Sequence, residues 1–361
     1  MRFIHGGAVI FALLLTHAQG GTMHIVNPSK EAQANAAKNP YSLVYEGAIR
    51  ANQKGAVQIT PTRYTSRGLQ IAANLYTPRD FNPKQSYPAL IIAHPNGGVK
   101  EQVAGLYAQR LAERGYITLA FDAAYQGESE GSPRNMDTPY HRTQDIYAAL
   151  DYLAGLKGVD KARIGLLGIC GGGGYALNAA KSDKRIKAVA TLSMFNSGLA
   201  RREGFLAAQK DSLQERLQEA SRAREKEALE HIISYTGSAP KKLSSKELVA
   251  ISADLYREGM VYYGDTHAHP RSTFAYTTSS LLELASFDVL DQIELIKQPT
   301  LMLVGERADS AYMSEAAYRK LGAESKQLIK LGNATHIQTY YESRVVEEAL
   351  KYLQKFYERY L

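Results

Sequence analysis

The stretch Arg163-Ile164-Gly165-Leu166-Leu167-Gly168-Ile169-Cys170-Gly171-Gly172-Gly173-Gly174-Tyr175 decides how this chain is read. Arg163 to Gly168 is a short apolar run, the pattern of a buried strand. Beyond it, Gly173 to Ala180 reads as the start of a helix packed close to that strand. The turn between them, Gly168-Ile169-Cys170-Gly171-Gly172, has the form G-x-C-x-G. Such a strand-to-helix turn holds its central side chain in a strained conformation that points the reactive atom away from the sheet. A thiol there also lies at the positive end of a helix dipole, which favours thiolate and predicts a lowered pKa. Phosphate-binding loops are glycine-rich too, but this one lacks both the G-x-G-x-x-G opening and the Gly-Lys-Ser/Thr ending. A lone cysteine can equally be a small buried apolar residue. The nucleophile reading gains from what surrounds it.

Working outward, Pro88 to His94 and Tyr116 to Phe121 are continuous apolar runs, as in strands buried on both faces. Gln102 to Arg114 has helical spacing and ends at Gly115, a natural C-terminal cap. Asp137 to Leu156 is a further amphipathic helix. Gly55 to Thr62 and Gly68 to Tyr76 alternate like an antiparallel pair at a sheet edge. Lys187 to Leu192, Pro299 to Val304 and Lys326 to Leu331 supply later strands, with helices at Ser310 to Lys320 and Ser343 to Tyr360. The alternation predicts an α/β fold: a mostly parallel central sheet with helices on both faces. It accounts for residues 55–192 and 299–361. Between them, 193–298 breaks the rhythm. Arg201 to Ile233 reads as a charged helix with Leu206, Leu213, Leu217, Leu229 and Ile232 as its apolar stripe. Leu243 to Tyr263 reads as helical again. The expectation is a mainly helical cap insertion lying over the C-terminal edge of the sheet.

The chain has 361 residues, 45% hydrophobic, enough for one large core with a smaller cap. Its net charge of +7 is spread among interleaved acids and bases, with no basic block to suggest a nucleic-acid partner. One cysteine excludes an intrachain disulfide and a Cys-paired zinc site. Met1-Arg2-Phe3, the apolar run Ala8 to Leu15, and the small residues Ala18, Gly20 and Gly21 describe a secretory signal over about residues 1–20. The run is shorter than the roughly 20 residues a membrane span needs. Residues 21–54 then form a mature N-terminal arm. An exported, periplasmic protein is expected, with a cytoplasmic one as the alternative. Nothing in the sequence fixes the oligomeric state.

A cysteine nucleophile needs a base to move its proton and a group to orient that base. The strand ending at Val304-Gly305 runs into Glu306-Arg307-Ala308-Asp309, and the next strand leads to Gly332-Asn333-Ala334-Thr335-His336. Nucleophile, acid and histidine thus follow in chain order, each just past a strand. Cys170 is the expected nucleophile, His336 the general base and acid, and Asp309 the carboxylate fixing the imidazole, with Glu306 as its rival. The oxyanion donors are expected from the Gly171 amide and from Gly98 or Val99, in the glycine-containing loop after His94. Gly127-Glu128-Ser129-Glu130-Gly131 matches G-x-S-x-G literally, but no helix follows, so Ser129 reads as a surface-loop serine. Glu101, Tyr125, Tyr263 and His269 are candidates for the substrate pocket, Glu101 by bonding the resting thiol. His267 and His269 alternate without a third ligand nearby, so no metal is expected. No cofactor is implied.

With these segments in hand, the chain resembles α/β-hydrolases of the dienelactone-hydrolase-like group, which use cysteine in G-x-C-x-G. More narrowly, it resembles bacterial members carrying HPxGGVKEQ, FDAAYQGES, GICxGGGY and GATH segments. They read here as His94 to Gln102, Phe121 to Ser129, Gly168 to Tyr175, and Asn333 to His336 after Gly332. The likeness spans roughly residues 55 to 361. It implies the α/β-hydrolase fold, a Cys-His-Asp triad, and hydrolysis of small-molecule esters, lactones or thioesters through an acyl-enzyme. Related fungal proteins are linked to polyketide release or transfer, so an acyltransferase is the alternative, and a catalytically silent ligand-binding homologue a further one. The helical insertion departs from the compact dienelactone hydrolases, and their substrate does not carry over.

Overall fold

The computed structural model describes residues 28–361. The expected export signal lies outside them. β1 (Gln58–Ser66) and β2 (Leu69–Thr77) form an antiparallel hairpin. Both turn residues, Arg67 and Gly68, have positive φ, as a two-residue type I′ turn requires. β3 (Tyr87–Ala93), β4 (Ile117–Phe121), β5 (Val159–Ile169) and β6 (Ala188–Leu192) follow. Two short strands, β7 (Tyr235–Thr236) and β8 (Tyr276–Thr277), pair apart from the main sheet. β9 (Thr300–Gly305) and β10 (Lys326–Leu331) complete the set.

Eight of these strands make one sheet in the order β1-β2-β4-β3-β5-β6-β9-β10. β2 runs antiparallel to β4, and every pairing from β4 to β10 is parallel. β4, β6 and β9 are buried along their whole length. Only a sheet covered on both faces can hide every residue of a strand. The cover comes as two groups of helices: Val103–Ala112 packs with Ser343–Tyr360, and Pro139–Gly155 with Gly171–Ser182. The final helix illustrates why. Val345, Val346, Ala349, Leu350, Leu353, Phe356 and Tyr357 recur at three- and four-residue spacing and all are buried. Burying each large one contributes about 1.5–3 kcal/mol relative to exposure.

Between β6 and β9 the structure departs from the expected continuous helix. Ser197–Glu203 is helical, Gly204 turns at φ 76°, Leu206 sits at φ 55°, and a new helix runs Leu213–Glu230. The predicted apolar stripe is split accordingly. Leu213 and Leu217 pack beside Ala220, Leu281 and Ala285, whereas Leu206, Leu229 and Ile232 are exposed. The second expected helix is likewise divided, into Ser245–Val249 and Asp254–Val261. No helix among the described residues is long and apolar enough to cross a membrane.

Candidate active site

β5 ends at Ile169, and Cys170 turns the chain at φ 53°, ψ −122° into the helix Gly171–Ser182. A side chain in that region is strained and persists only where its surroundings over-determine it. Here they do. The Cys170 amide donates to the Leu192 carbonyl, and the Cys170 carbonyl accepts from Gly173 and Phe195, each at 2.9 Å. Glycine is required on both sides of the turn. A Cβ on Gly168 would lie 2.4 Å from the Gly172 carbonyl oxygen, and one on Gly172 would lie 2.4 Å from that of Ala93. The strand-to-helix approach is too close for any side chain.

The thiol is buried, and burial pushes its pKa up. The Tyr340 hydroxyl, the amides of Gly171 and Asn96, and the more distant Arg142 oppose the rise without cancelling it. This corrects the lowered pKa expected from the helix dipole: loss of water around a thiolate outweighs the favourable field. Alkylation of Cys170 by iodoacetamide is therefore expected to speed up about tenfold per pH unit from pH 6 to 8.5. A rate that is flat over that range would contradict a protonated resting thiol.

Gly171 and Asn96, rather than Gly98 or Val99, present the amides that converge on Sγ. Pro95-Asn96-Gly97-Gly98 forms a turn in which the Gly98 amide donates to the Pro95 carbonyl at 3.1 Å, with Gly97 at φ 71°. Such a turn consumes its fourth amide and leaves the second free. The Val99 amide is taken by Gln102 Oε1 at 3.1 Å. The Asn96 side chain is fixed by donating to Ser197 Oγ at 2.8 Å.

His336 is fully buried, and burial lowers its pKa to about 3, so the imidazole is neutral near pH 7. Its Nε2 lies 2.9 Å from the Tyr340 hydroxyl, and its Nδ1 lies 2.5 Å from Ser310 Oγ. Tyr340 thus stands between the histidine and the sulfur. Asp309, the expected orienting carboxylate, does not bond His336. Its Oδ2 accepts from the Leu255 amide at 3.0 Å, and its buried Oδ1 has no partner. The adjacent serine occupies the position the carboxylate was expected to fill. Glu306 is exposed and accepts from the Asn333 amide. The legible signal for Tyr340 was its spacing, four residues after His336 on a short helical turn.

A cavity of about 370 Å³ opens from this cluster. Asn96, Cys170, Phe195, Tyr263 and Tyr340 line it, and much of the rest of its wall comes from the 193–298 segment. Tyr263 is there as expected. Glu101, Tyr125 and His269 are not among its lining residues. Tyr125 packs edge-on against His141. His269 Nδ1 accepts from the Arg271 amide, while His267 stacks on Tyr262. The two histidines therefore serve separate neighbours. Ser129 is buried, not on the surface: its hydroxyl donates to the Asp122 carbonyl and accepts from the Ala72 amide.

Glu101 belongs instead to a charged cluster beneath the site. Lys100 Nζ lies 2.6 Å from Glu101, 2.9 Å from Asp122 and 2.7 Å from Glu128. These carboxylates are the one group among the described residues spaced to hold a metal ion, and the ammonium already sits among them.

A family model described as X-Pro dipeptidyl-peptidase (S15 family) matches residues 67–338. The uncharacterized protein YcjY of Escherichia coli is 36% identical over 84% of this chain and 99% of its own length. Among solved structures, the hypothetical protein PA2218 of Pseudomonas aeruginosa superposes with a TM-score of 0.78 at 34% identity. That match covers 86% of this chain and 96% of that one. Est1E of Butyrivibrio proteoclasticus, solved with ferulic acid bound, shares the fold at 19% identity and a TM-score of 0.58, over 82% and 98% of the two chains.

Proposed function

Because the chain belongs to the X-Pro dipeptidyl-peptidase (S15) family and has the α/β-hydrolase fold, we propose that it hydrolyses esters, lactones or thioesters through Cys170. Family and fold carry the coarser statement: this is a hydrolase with esterase-like relatives. The observation that supports the finer one is the sulfur itself, held on a strained turn, faced by two backbone amides and open to a cavity. The resemblance of the G-x-C-x-G segment to cysteine-dependent dienelactone-hydrolase-like proteins supports this choice of nucleophile and supplies no substrate.

The hydrogen-bond network suggests how the proton moves. The thiol proton passes to the Tyr340 oxygen while the Tyr340 proton passes to His336 Nε2, leaving thiolate and imidazolium. Nδ1–H donates to Ser310 Oγ throughout, which fixes the ring. Sγ attacks the carbonyl carbon, and the carbonyl electron pair moves onto oxygen, stabilised by the amides of Gly171 and Asn96. Collapse of this intermediate expels the alcohol or thiol, which takes the proton back along the same path. Water then attacks the thioester under the same base, releasing the acid and restoring the thiol.

Initial rates on p-nitrophenyl butyrate test this assignment. Tyr340→Phe removes the relay and is expected to lower kcat by about 10²-fold, the ordinary range for one acid–base group. Asp309→Asn is expected to stay within about tenfold of wild type, since a true orienting carboxylate is worth on the order of 10⁴. The reverse ranking would restore Asp309 to the triad and remove Tyr340 from it. Free butyrate should remain the main product when an alcohol or amine is added. Preferential acyl transfer to the added acceptor would instead make the protein a transferase.

A further inference from the structure

The helix Ser197–Glu203 begins beside the nucleophile. Phe195 bonds the Cys170 carbonyl, and Ser197 accepts from Asn96. Arg201 lies one turn farther, about 6 Å along the axis. Its side chain lines the same cavity as Cys170. The arginines around it are all committed. Arg202 pairs with Asp288 at 2.6 Å and donates to the carbonyls of Ala285 and Phe287. Arg216 donates to the carbonyls of Arg201, Arg202 and Gln209.

Arg201 is different. Among the described residues its guanidinium makes no ion pair and no hydrogen bond, and its Nε is sealed from solvent without a partner. The Tyr276 ring lies 4.4 Å from the guanidinium carbon and is its one face-on contact among the described residues. Glu215 and Glu219 also line the cavity, yet neither pairs with it. Asp137 is close enough to strengthen its charge but beyond ion-pair distance. A guanidinium stays charged at any working pH, and holding that charge half-buried without a counter-ion is costly. A planar, five-donor group held this way matches a carboxylate better than any neutral ligand.

We propose that Arg201 anchors a carboxylate on the substrate, so that the preferred acyl group carries a negative charge a few carbons from the scissile carbonyl. The proposal rests on the reading of this cavity as the acyl site. Phe195, Phe205 and Tyr256 line the same cavity and suit a short hydrocarbon spacer. Half-esters of short dicarboxylic acids, such as monomethyl adipate, have this form.

Calorimetry on the full chain carrying Cys170→Ala measures binding without turnover. Monomethyl adipate is expected to bind about 10- to 100-fold more tightly than dimethyl adipate, the range for a charge-assisted pair. Arg201→Met should abolish that preference, and Arg201→Lys should restore part of it. Equal binding of the two esters, no binding of the half-ester at millimolar concentration, or a preference that survives Arg201→Met would each overturn the proposal. The wild-type comparison stands even if Arg201→Met fails to fold. With Cys170 intact, the ratio of kcat/KM for the mono-p-nitrophenyl ester of adipate over p-nitrophenyl hexanoate is expected to fall at least tenfold in Arg201→Met. General damage to the cap would lower both rates and leave the ratio unchanged, which would count against the anchor. A wild-type protein that prefers the half-ester in calorimetry but cleaves neither ester would overturn the hydrolase reading and leave the carboxylate site standing.

Discussion

Cys170→Ala is expected to lower kcat/KM on p-nitrophenyl butyrate by 10⁴- to 10⁶-fold, on the order of what removing the nucleophile costs enzymes with this machinery. The loss follows from the reaction path, which has no acyl-enzyme without Sγ. It should not follow from unfolding. The strained backbone at residue 170 is held by main-chain hydrogen bonds to Leu192, Gly173 and Phe195, none of which involves sulfur. Alanine fits the same φ and removes one atom from a cavity wall. The melting temperature should therefore shift by only a few degrees, which thermal unfolding will show. What remains is the background that the amides of Gly171 and Asn96 and simple binding can supply. Comparable activity in the two proteins would remove Cys170 from the mechanism.

The second large effect is on stability. Lys100→Met is expected to cost about 3–5 kcal/mol, because it leaves the fully buried Asp122 without its cation and Glu101 with Arg271 alone, 3.8 Å away. Lys100 and Glu101 are each 2% exposed and Asp122 is fully buried. Burial works against the charge of every member. It is overcome at Asp122, whose pKa is held down by Lys100 and by the Glu128 and Lys100 amides. It is not overcome at Glu101, which burial and the nearby Asp122 charge push up to about 7. The cluster also joins two loops. The Lys100 amide and ammonium both bond Asp122, tying the segment after β3, which carries Asn96, to the segment after β4. Activity should therefore fall together with stability. Urea unfolding of Lys100→Met, and of the same variant with Glu101→Gln and Asp122→Asn added, separates the causes. Partial recovery in the triple variant is the expected result. No recovery would mean that the lysine stem, not its charge, supports the loops.

The sheet was legible because strands buried on both faces leave unbroken apolar runs, and among the described residues each run read as a strand is one near its predicted place. The turn at Cys170 was legible for a steric reason, since Gly168 and Gly172 stand where no side chain fits. What the sequence hid was set by contacts between distant segments. Asp309 lies on the loop it was expected to occupy, yet which group bonds His336 depends on a displacement of a single residue, to Ser310. The amide that faces the sulfur from this loop lies two residues before the expected one, because the turn at Pro95 to Gly98 spends the Gly98 amide internally. The thiol's ionisation differs from the expectation because the helix dipole can be read from sequence while burial by distant segments cannot. The 193–298 segment was the least legible part. Its helix was expected to run through Gly204, whose positive φ instead breaks the chain and brings Arg201 and Arg216 to one cavity. Glu101 looked like a pocket residue because it adjoins the oxyanion loop, but the ammonium of its neighbour claims it.

Acid-quenching the wild-type protein during turnover of p-nitrophenyl butyrate, then determining its mass and the modified peptide, shows whether Cys170 carries the acyl group. A butyryl adduct is expected on the peptide containing Cys170, released by neutral hydroxylamine as a thioester should be. Turnover with no adduct at any quench time, or an adduct on another residue, would contradict it.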